Sequence, residues 1–220
     1  VKKVGVSLKG LAAATGITVE ATSATAINLN SLATAVGALS ITGTATTLLH
    51  VDALTSAASI TAVADEAHFG KLTSASGLIN VTAETAANFG ALTAIDADAN
   101  IGGATVVLTA LAATSTGTLT LPDALALNAP ALVNGAVLSA PKATSATLKS
   151  SSVANLDVDT AASISLTEQA DHFTIGSSDD FPSLTTLSVT GKDVTGVTTT
   201  TVAITAATTL TTISTDGELS

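Results

Sequence analysis

The sequence predicts an all-β protein, a right-handed parallel β-helix or β-solenoid with coils of about 20 residues. Three observations predict this fold. The stretch AHFGKLTSA at 67–75 returns as ANFGALTAI at 87–95. An apolar residue followed three positions later by Leu recurs along the chain, and short runs that alternate apolar and polar residues lie between these pairs. Because about 20 residues can hold two or three short strands but not two helices, each repeat is predicted to be one coil.

The apolar-x-x-Leu pairs form the first column of the repeat. They are Leu29/Leu32, Val51/Leu54, Phe69/Leu72, Phe89/Leu92, Leu108/Leu111 and a degenerate Ala129/Leu132. Their recurrence at a nearly constant interval predicts that equivalent members stack on one another from coil to coil. We therefore expect one inward-facing column of leucines, made of Leu32, Leu54, Leu72, Leu92 and Leu111.

The alternating runs form a second column with the same period. Thr, Val and Ile are frequent in them, and β-branched residues suit a pleated surface. The predicted apolar anchors of these strands are Ile17, Leu39, Ile60, Ile79, Ile101, Leu119, Val137 and Leu156.

Residues 1–220 are predicted to form a single β-solenoid segment, with regular coils at 1–150 and less regular coils at 151–220. About eleven coils stacked at about 4.8 Å would give a rod roughly 50 Å long. VGVSL at 4–8 alternates like an interior strand, and DGELS at 216–220 stops where other repeats have a strand. We therefore expect the segment to be part of a longer repetitive chain.

Composition and charge narrow the possible functions. The net charge is −10, with 17 acidic residues and 7 basic ones, which disfavours nucleic acid and anionic lipid as partners. No apolar run reaches the ~20 residues that a membrane-spanning helix needs, so no membrane insertion is predicted. The chain has no Cys, Trp, Tyr or Arg. Without aromatic sugar platforms or clustered catalytic charges, we expect a protein that is not an enzyme and has no cofactor.

The most suggestive acidic pattern is DADANIGG at 96–103. Asp96, Asp98 and Asn100 stand at alternate positions, as at the start of a calcium-binding loop. Such a loop needs Gly at its sixth position and Glu at its twelfth, and this chain has Ile101 and Val107 there. On a strand, the alternation would place all three side chains on one solvated face. They are therefore only weak metal candidates, and the pairs Asp157/Asp159 and Asp179/Asp180 are weaker still.

Histidines and Thr-x-Thr patterns are two further features that bear on possible sites. His68 and His172 precede Phe in related repeats, and Asn88 precedes Phe89 in the same way, which favours a polar turn position over a catalytic or metal-binding role. TGTAT at 42–46 and TGTLT at 116–120 contain the Thr-x-Thr pattern of ice-binding solenoids. Thr44 lies five residues after Leu39 but Thr118 lies one before Leu119, so these two rows are not expected to align.

FPSLTTLSVTG at 181–191, with the recurring apolar-x-x-Leu and Gly-x-apolar-x-apolar patterns, resembles the degenerate leucine-rich, receptor-L-type β-solenoid repeats of large bacterial cell-surface adhesins. The giant secreted repeat adhesins that form surface filaments of gliding bacteria are of this kind. Position 191 is Gly where the standard leucine-rich repeat has Asn. The resemblance implies a leucine-rich-repeat-like fold and an extracellular, cell-surface location.

The function that this resemblance implies is that of a structural shaft or stalk segment. Its partners would be neighbouring repeats of the same long chain or end-to-end copies, with surface carbohydrate as a further possibility. A carbohydrate- or ice-binding β-solenoid module is the alternative function.

Overall fold

The computed structural model describes residues 4–21, 23–44, 47–132, 134–148, 156–166, 172–175, 183–189, 201–204 and 211–215. All regular secondary structure in these ranges is β-strand. The strands are β1 (Val4–Ser7), β2 (Ala13–Ala14), β3 (Ile17–Glu20), β4 (Ala24–Asn28), β5 (Thr34–Thr42), β6 (Leu48–His50), β7 (Ser56–His68), β8 (Ser74–Ala75), β9 (Ile79–Asn88), β10 (Ala94–Ile95), β11 (Ala99–Ile101), β12 (Thr105–Val107), β13 (Ala113–Thr120), β14 (Ala126–Ala129), β15 (Asn134–Ser139), β16 (Ser145–Leu148), β17 (Leu156–Asp157), β18 (Ser163–Leu166), β19 (His172–Ile175), β20 (Thr186–Val189), β21 (Thr201–Ile204) and β22 (Thr212–Thr215).

The strands stack into three parallel ladders, which we name faces A, B and C in the order in which a coil visits them. Face A contains β2, β8, β10 and the first residues of β5, β7, β13 and β15. Face B contains β3, β11, β17 and further residues of β5, β7, β9, β13 and β15. Face C contains β1, β4, β6, β12, β14, β16, β18, β20, β22 and the ends of β7 and β9. The predicted parallel β-solenoid with coils of roughly 20 residues is confirmed.

About seven turns have all three faces among the described residues. Face C continues further, because its ladder runs without a break from β1 to β22. The step along the chain between register partners is shorter from Ser145 to Ser163 than from Thr186 to Thr212, so the coils differ in length. A separate parallel pair joins β19 to β21. The stretch at 216–220, where a further strand was expected, lies outside the described residues.

The corner between faces C and A explains the apolar-x-x-Leu pairs. In each pair the second residue donates its backbone N–H to the carbonyl of the first, as Leu72 does to Phe69 at 3.1 Å and Leu92 to Phe89 at 3.0 Å. Both members point inward, and the predicted leucine column is confirmed because all five of its side chains are at most 1% exposed. A tight turn with two buried apolar ends closes each coil and adds to the core at the same time.

In the described part of the chain, the core is a thin interior of small aliphatic side chains with two aromatic rings, Phe69 and Phe89. Along β7 and β9, buried residues alternate with more exposed ones within each face, as strand geometry requires. Thr47 is the buried polar residue of the described part, and its hydroxyl donates to the Ala24 carbonyl at 2.7 Å. Among the described residues, the structure contains no helix with the length and hydropathy that crossing a membrane requires.

Two of the predicted face B anchors were wrong in register. Ile79 pairs with Ala99 and not with Ile101, which lies two positions further on and pairs with Val81. Leu119 pairs with Leu138 and not with Val137, which pairs with Thr118. The corners of these coils contain different numbers of residues. A local apolar pattern does not show which corner is longer, so it does not fix the register of the next strand.

The corner between faces A and B brings backbones of adjacent coils close together. A Cβ placed on Gly37 would lie 1.6 Å from the Thr15 carbonyl oxygen, and one on Gly77 would lie 2.7 Å from that of Ala58. Only glycine fits such an approach without moving the backbone. These two glycines therefore allow the coils to stack tightly at this corner.

Candidate functional site

The residues from the calcium-like pattern lie around the corner between faces A and B. Asp96 and Asp98 are in the bend that separates β10 from β11, and Asn100 lies on β11. The expectation that all three share one face of a strand was wrong, because the chain turns before β11 begins. The acidic residues are exposed, and so is Asn100.

Two of these side chains bind neighbouring coils. The Asp98 carboxylate accepts a hydrogen bond at 2.9 Å from the backbone N–H of Thr118, one coil further on. The Asn100 amide donates to Asn80 Oδ1 at 3.4 Å, one coil back. Both contacts join successive coils, so these groups have structural partners in the described fold.

The other acidic candidates are scattered. Asp157 is the last residue of β17, and Asp159 is exposed in the turn that follows it. Asp179 and Asp180 fall outside the described residues. Over the part of the chain that the structure describes, no three His, Cys, Asp or Glu side chains gather where one metal ion could be held by all of them.

A column of polar residues runs up the end of face C, and we call it the His column. Asn28, His50, His68 and Asn88 are register partners in four successive coils. The predicted equivalence of His68 and Asn88 is confirmed. His172 is different, because it begins β19 and pairs with Thr201 in the separate ladder.

Asparagine and histidine use this position differently. Asn28 Oδ1 accepts from the backbone N–H of Asn30 at 3.0 Å, and Asn88 Oδ1 accepts from that of Gly90 at 3.0 Å. Each asparagine therefore closes the turn that follows it. The two histidines instead stack on each other, with ring centroids 5.0 Å apart and an interplanar angle of 19°.

Each imidazole also faces a carboxylate on its own coil. His50 Nδ1 lies 3.5 Å from Asp52 Oδ2, and His68 Nε2 lies 3.2 Å from Glu66 Oε2. All four side chains are partly exposed, between 29% and 43%. Sequence reasoning missed this cluster because His50 and His68 are a whole coil apart along the chain, and only the length of that coil places them side by side.

No family model, no curated protein and no solved structure matches this chain.

Face A carries an open groove of about 300 Å³. Small residues line most of it, including Thr34, Ser56 and Ser74, and Val36 and Asp96 also contribute to its lining. The Val36 side chain is 71% exposed, the largest exposure among the big apolar residues of the described part. The groove has no aromatic or cationic wall, so it offers little to orient a small-molecule ligand.

Face C carries a second regular feature, which we call the hydroxyl array. Ser145, Ser163 and Thr186 are successive register partners, and so are Thr147, Ser165 and Ser188. All six side chains are partly exposed. Thr42 and Thr118, from the two Thr-x-Thr patterns, do not align in this way, since Thr42 pairs with Val63 and Thr118 with Val137. In the sequence, the array corresponds to a Ser/Thr-x-Ser/Thr triplet at the start of β16, β18 and β20. Because the coils between these strands differ in length, the triplets do not recur at a constant interval.

Proposed function

We propose that this chain is a structural shaft or stalk segment of an extracellular surface protein of the adhesin or filament type. The observation that carries the proposal is the unbroken face C ladder from β1 to β22. It is a continuous backbone connection along the axis on which the coils stack. A shaft needs such a connection and needs no catalytic centre.

Side-chain bonds between coils support the same function. The hydroxyls of Thr55, Thr73 and Thr93 donate to the carbonyls of Ala33, Thr55 and Thr73 respectively, at 3.0, 2.9 and 3.1 Å. The backbone N–H groups of the same threonines donate to the same carbonyls. Each of these three coils is therefore joined to the one before it by paired bonds at this corner. Because these bonds point along the stacking axis, an axial pull loads many of them together.

The partners that we propose are further coils of the same kind, in the same long chain or in end-to-end copies. Among the described residues, β1 pairs only with β4, while β2 and β3 pair only with β5. Val6, Leu11, Ile17 and Val19 are only partly buried at this edge. An open parallel edge with apolar residues beside it is a template for another edge.

Sedimentation velocity over a range of protein concentrations tests this proposal. The chain should associate end to end, and fusing a polar capping coil to its first coil should reduce the association. A scrambled capping sequence of the same composition is the matched control and should leave association unchanged. A strictly monomeric uncapped chain, with the amides of β1 and β3 strongly protected from hydrogen exchange, would contradict the shaft proposal.

The hydroxyl array favours a second candidate function, an ice- or carbohydrate-binding module. Its two columns repeat with the strand spacing of about 4.8 Å along the axis, and such a regular uncharged surface could match an ordered ligand. Inhibition of ice recrystallisation and co-sedimentation with insoluble polysaccharides test it. Ser165→Lys should abolish either activity, whereas Thr61→Lys on face B should not. Equal activity of the two variants would exclude the array.

A further inference from the structure

The His column carries imidazoles in two adjacent coils, stacked on each other and each beside a carboxylate. In the coils before and after them the same position is Asn, and Asn closes the turn through its Oδ1. His50 and His68 instead face one another across adjacent rungs of face C. They are two nitrogen ligands held close together by the ladder.

Each of the two imidazoles has a carboxylate beside one of its ring nitrogens. In metal sites, a ligating His commonly presents its second ring nitrogen to a carboxylate, which fixes the ring and raises its basicity. Asp52 lies beside His50 Nδ1, and Glu66 lies beside His68 Nε2. This leaves His50 Nε2 and His68 Nδ1 as the nitrogens that face away from those carboxylates.

From this geometry we infer that His50 and His68 form a two-histidine site for a borderline divalent transition-metal ion such as Zn²⁺, with water completing the coordination. Imidazole is a preferred ligand of Zn²⁺, Cu²⁺ and Ni²⁺, whereas Ca²⁺ and Mg²⁺ prefer oxygen ligands. The site differs from the oxygen-ligand candidates Asp96, Asp98 and Asn100 in its place and in its ligand chemistry.

Binding requires a small rearrangement of the rings. Zn²⁺ lies about 2.0–2.1 Å from each imidazole nitrogen, so the two nitrogens must come within about 4 Å of each other. The rings are now nearly parallel, with centroids 5.0 Å apart. Both must tilt toward a common point, and side chains that are 34% and 29% exposed have room to do so.

Isothermal calorimetry of the full chain with Zn²⁺, near neutral pH, is the first test. One equivalent should bind, and acidification should weaken binding because protons compete for the imidazole nitrogens. His50→Asn and His68→Asn should each weaken binding by at least about tenfold, the size of change that loss of an outer-shell partner alone can cause. Both changes install the residue that Asn28 and Asn88 already supply in this column, so the fold should be kept. His172→Asn is the matched control and should bind Zn²⁺ like the unmodified chain.

Nuclear magnetic resonance of the imidazole rings gives a second readout that needs no variant. The ring signals of His50 and His68 should shift together and reach their end point at one equivalent of Zn²⁺, while those of His172 stay unchanged. Absence of Zn²⁺ binding, or equal binding after loss of either His50 or His68, would overturn the proposal. So would a ring shift confined to one histidine of the pair.

Discussion

The rings of Phe69 and Phe89 stack face to face in the corner between faces C and A, with centroids 5.0 Å apart and an interplanar angle of 13°. Both side chains are fully buried. Their separation is close to the strand spacing of about 4.8 Å, so the ladder itself sets the distance between the rings. Equivalent residues of adjacent coils are thus direct packing partners.

Phe89→Ala should destabilise the protein by about 3–5 kcal/mol. It removes a buried ring and leaves a cavity between Phe69 and the coil that follows Phe89. Phe89→Leu should cost less, about 1.5 kcal/mol or below, because Leu108 already occupies the same column one coil later. Urea unfolding followed by circular dichroism measures both values. Equal losses for the two variants would contradict the stacked-column description.

Leu92→Asp should prevent folding or destabilise it severely, because Leu92 is fully buried among stacked leucines and a carboxylate there has no partner. Leu125→Asp is the matched control, since Leu125 is 55% exposed and the change should lie within about 0.5 kcal/mol of neutral. Circular dichroism and thermal melting compare the two. A folded Leu92→Asp variant would show that this column is not the core.

Gly37→Ala should be strongly destabilising although it adds a single methyl group. The new Cβ would lie 1.6 Å from the Thr15 carbonyl oxygen, and only movement of one backbone relative to the other could relieve the clash. Gly16→Ala is the matched control at the same corner, because its Cβ would make an ordinary 3.5 Å contact with the Ala38 carbonyl oxygen. The melting temperature should fall clearly for the first variant and remain near that of the unmodified chain for the second.

Thr47→Val and Thr73→Val remove one hydroxyl each, from different environments. Thr47 is buried, and its hydroxyl bonds both the Ala24 carbonyl and the Thr44 N–H, so its loss should cost about 1–3 kcal/mol. The Thr73 hydroxyl is exposed, and the Thr55 carbonyl that it binds keeps its bond to the Thr73 backbone N–H. That loss should cost no more than about 1 kcal/mol. Denaturant midpoints that ranked the two variants in the opposite order would contradict this account.

Lys142→Ala should change stability by less than about 1 kcal/mol, although Lys142 Nζ lies 2.6 Å from Asp123 Oδ1 in the preceding coil. The two side chains are 61% and 49% exposed, and water and salt screen such a pair. The small difference from the unmodified chain should shrink further in high salt. A large loss that salt does not reduce would mean that this pair, rather than backbone bonding and the core, holds the two coils together.

The sequence predicted the repeat and most of the inward positions, and its errors lie at the registers and corners of the coils. The corner leucines were found because a tight turn with buried ends requires the same spacing in every coil, as at Leu72 and Leu92. Ile101 and Val137 were assigned to the wrong register because neighbouring apolar residues fit the alternation equally well. Asp96 and Asp98 were expected on a strand because nothing in DADANIGG marks the corner.

By itself, the sequence determined the period and the direction in which most side chains point, because apolar residues must leave water in every coil. Only the tertiary structure decided which outward residues become neighbours. His50 meets His68, and Ser145 meets Ser163, because the coil between each pair has the length that brings them into register, whereas the coil from Thr186 to Thr212 is longer. Corners absorb those differences, and hydrogen bonding between coils then fixes the register across the faces. The lateral surfaces on which any function depends are therefore set by stacking, and a local pattern cannot specify them.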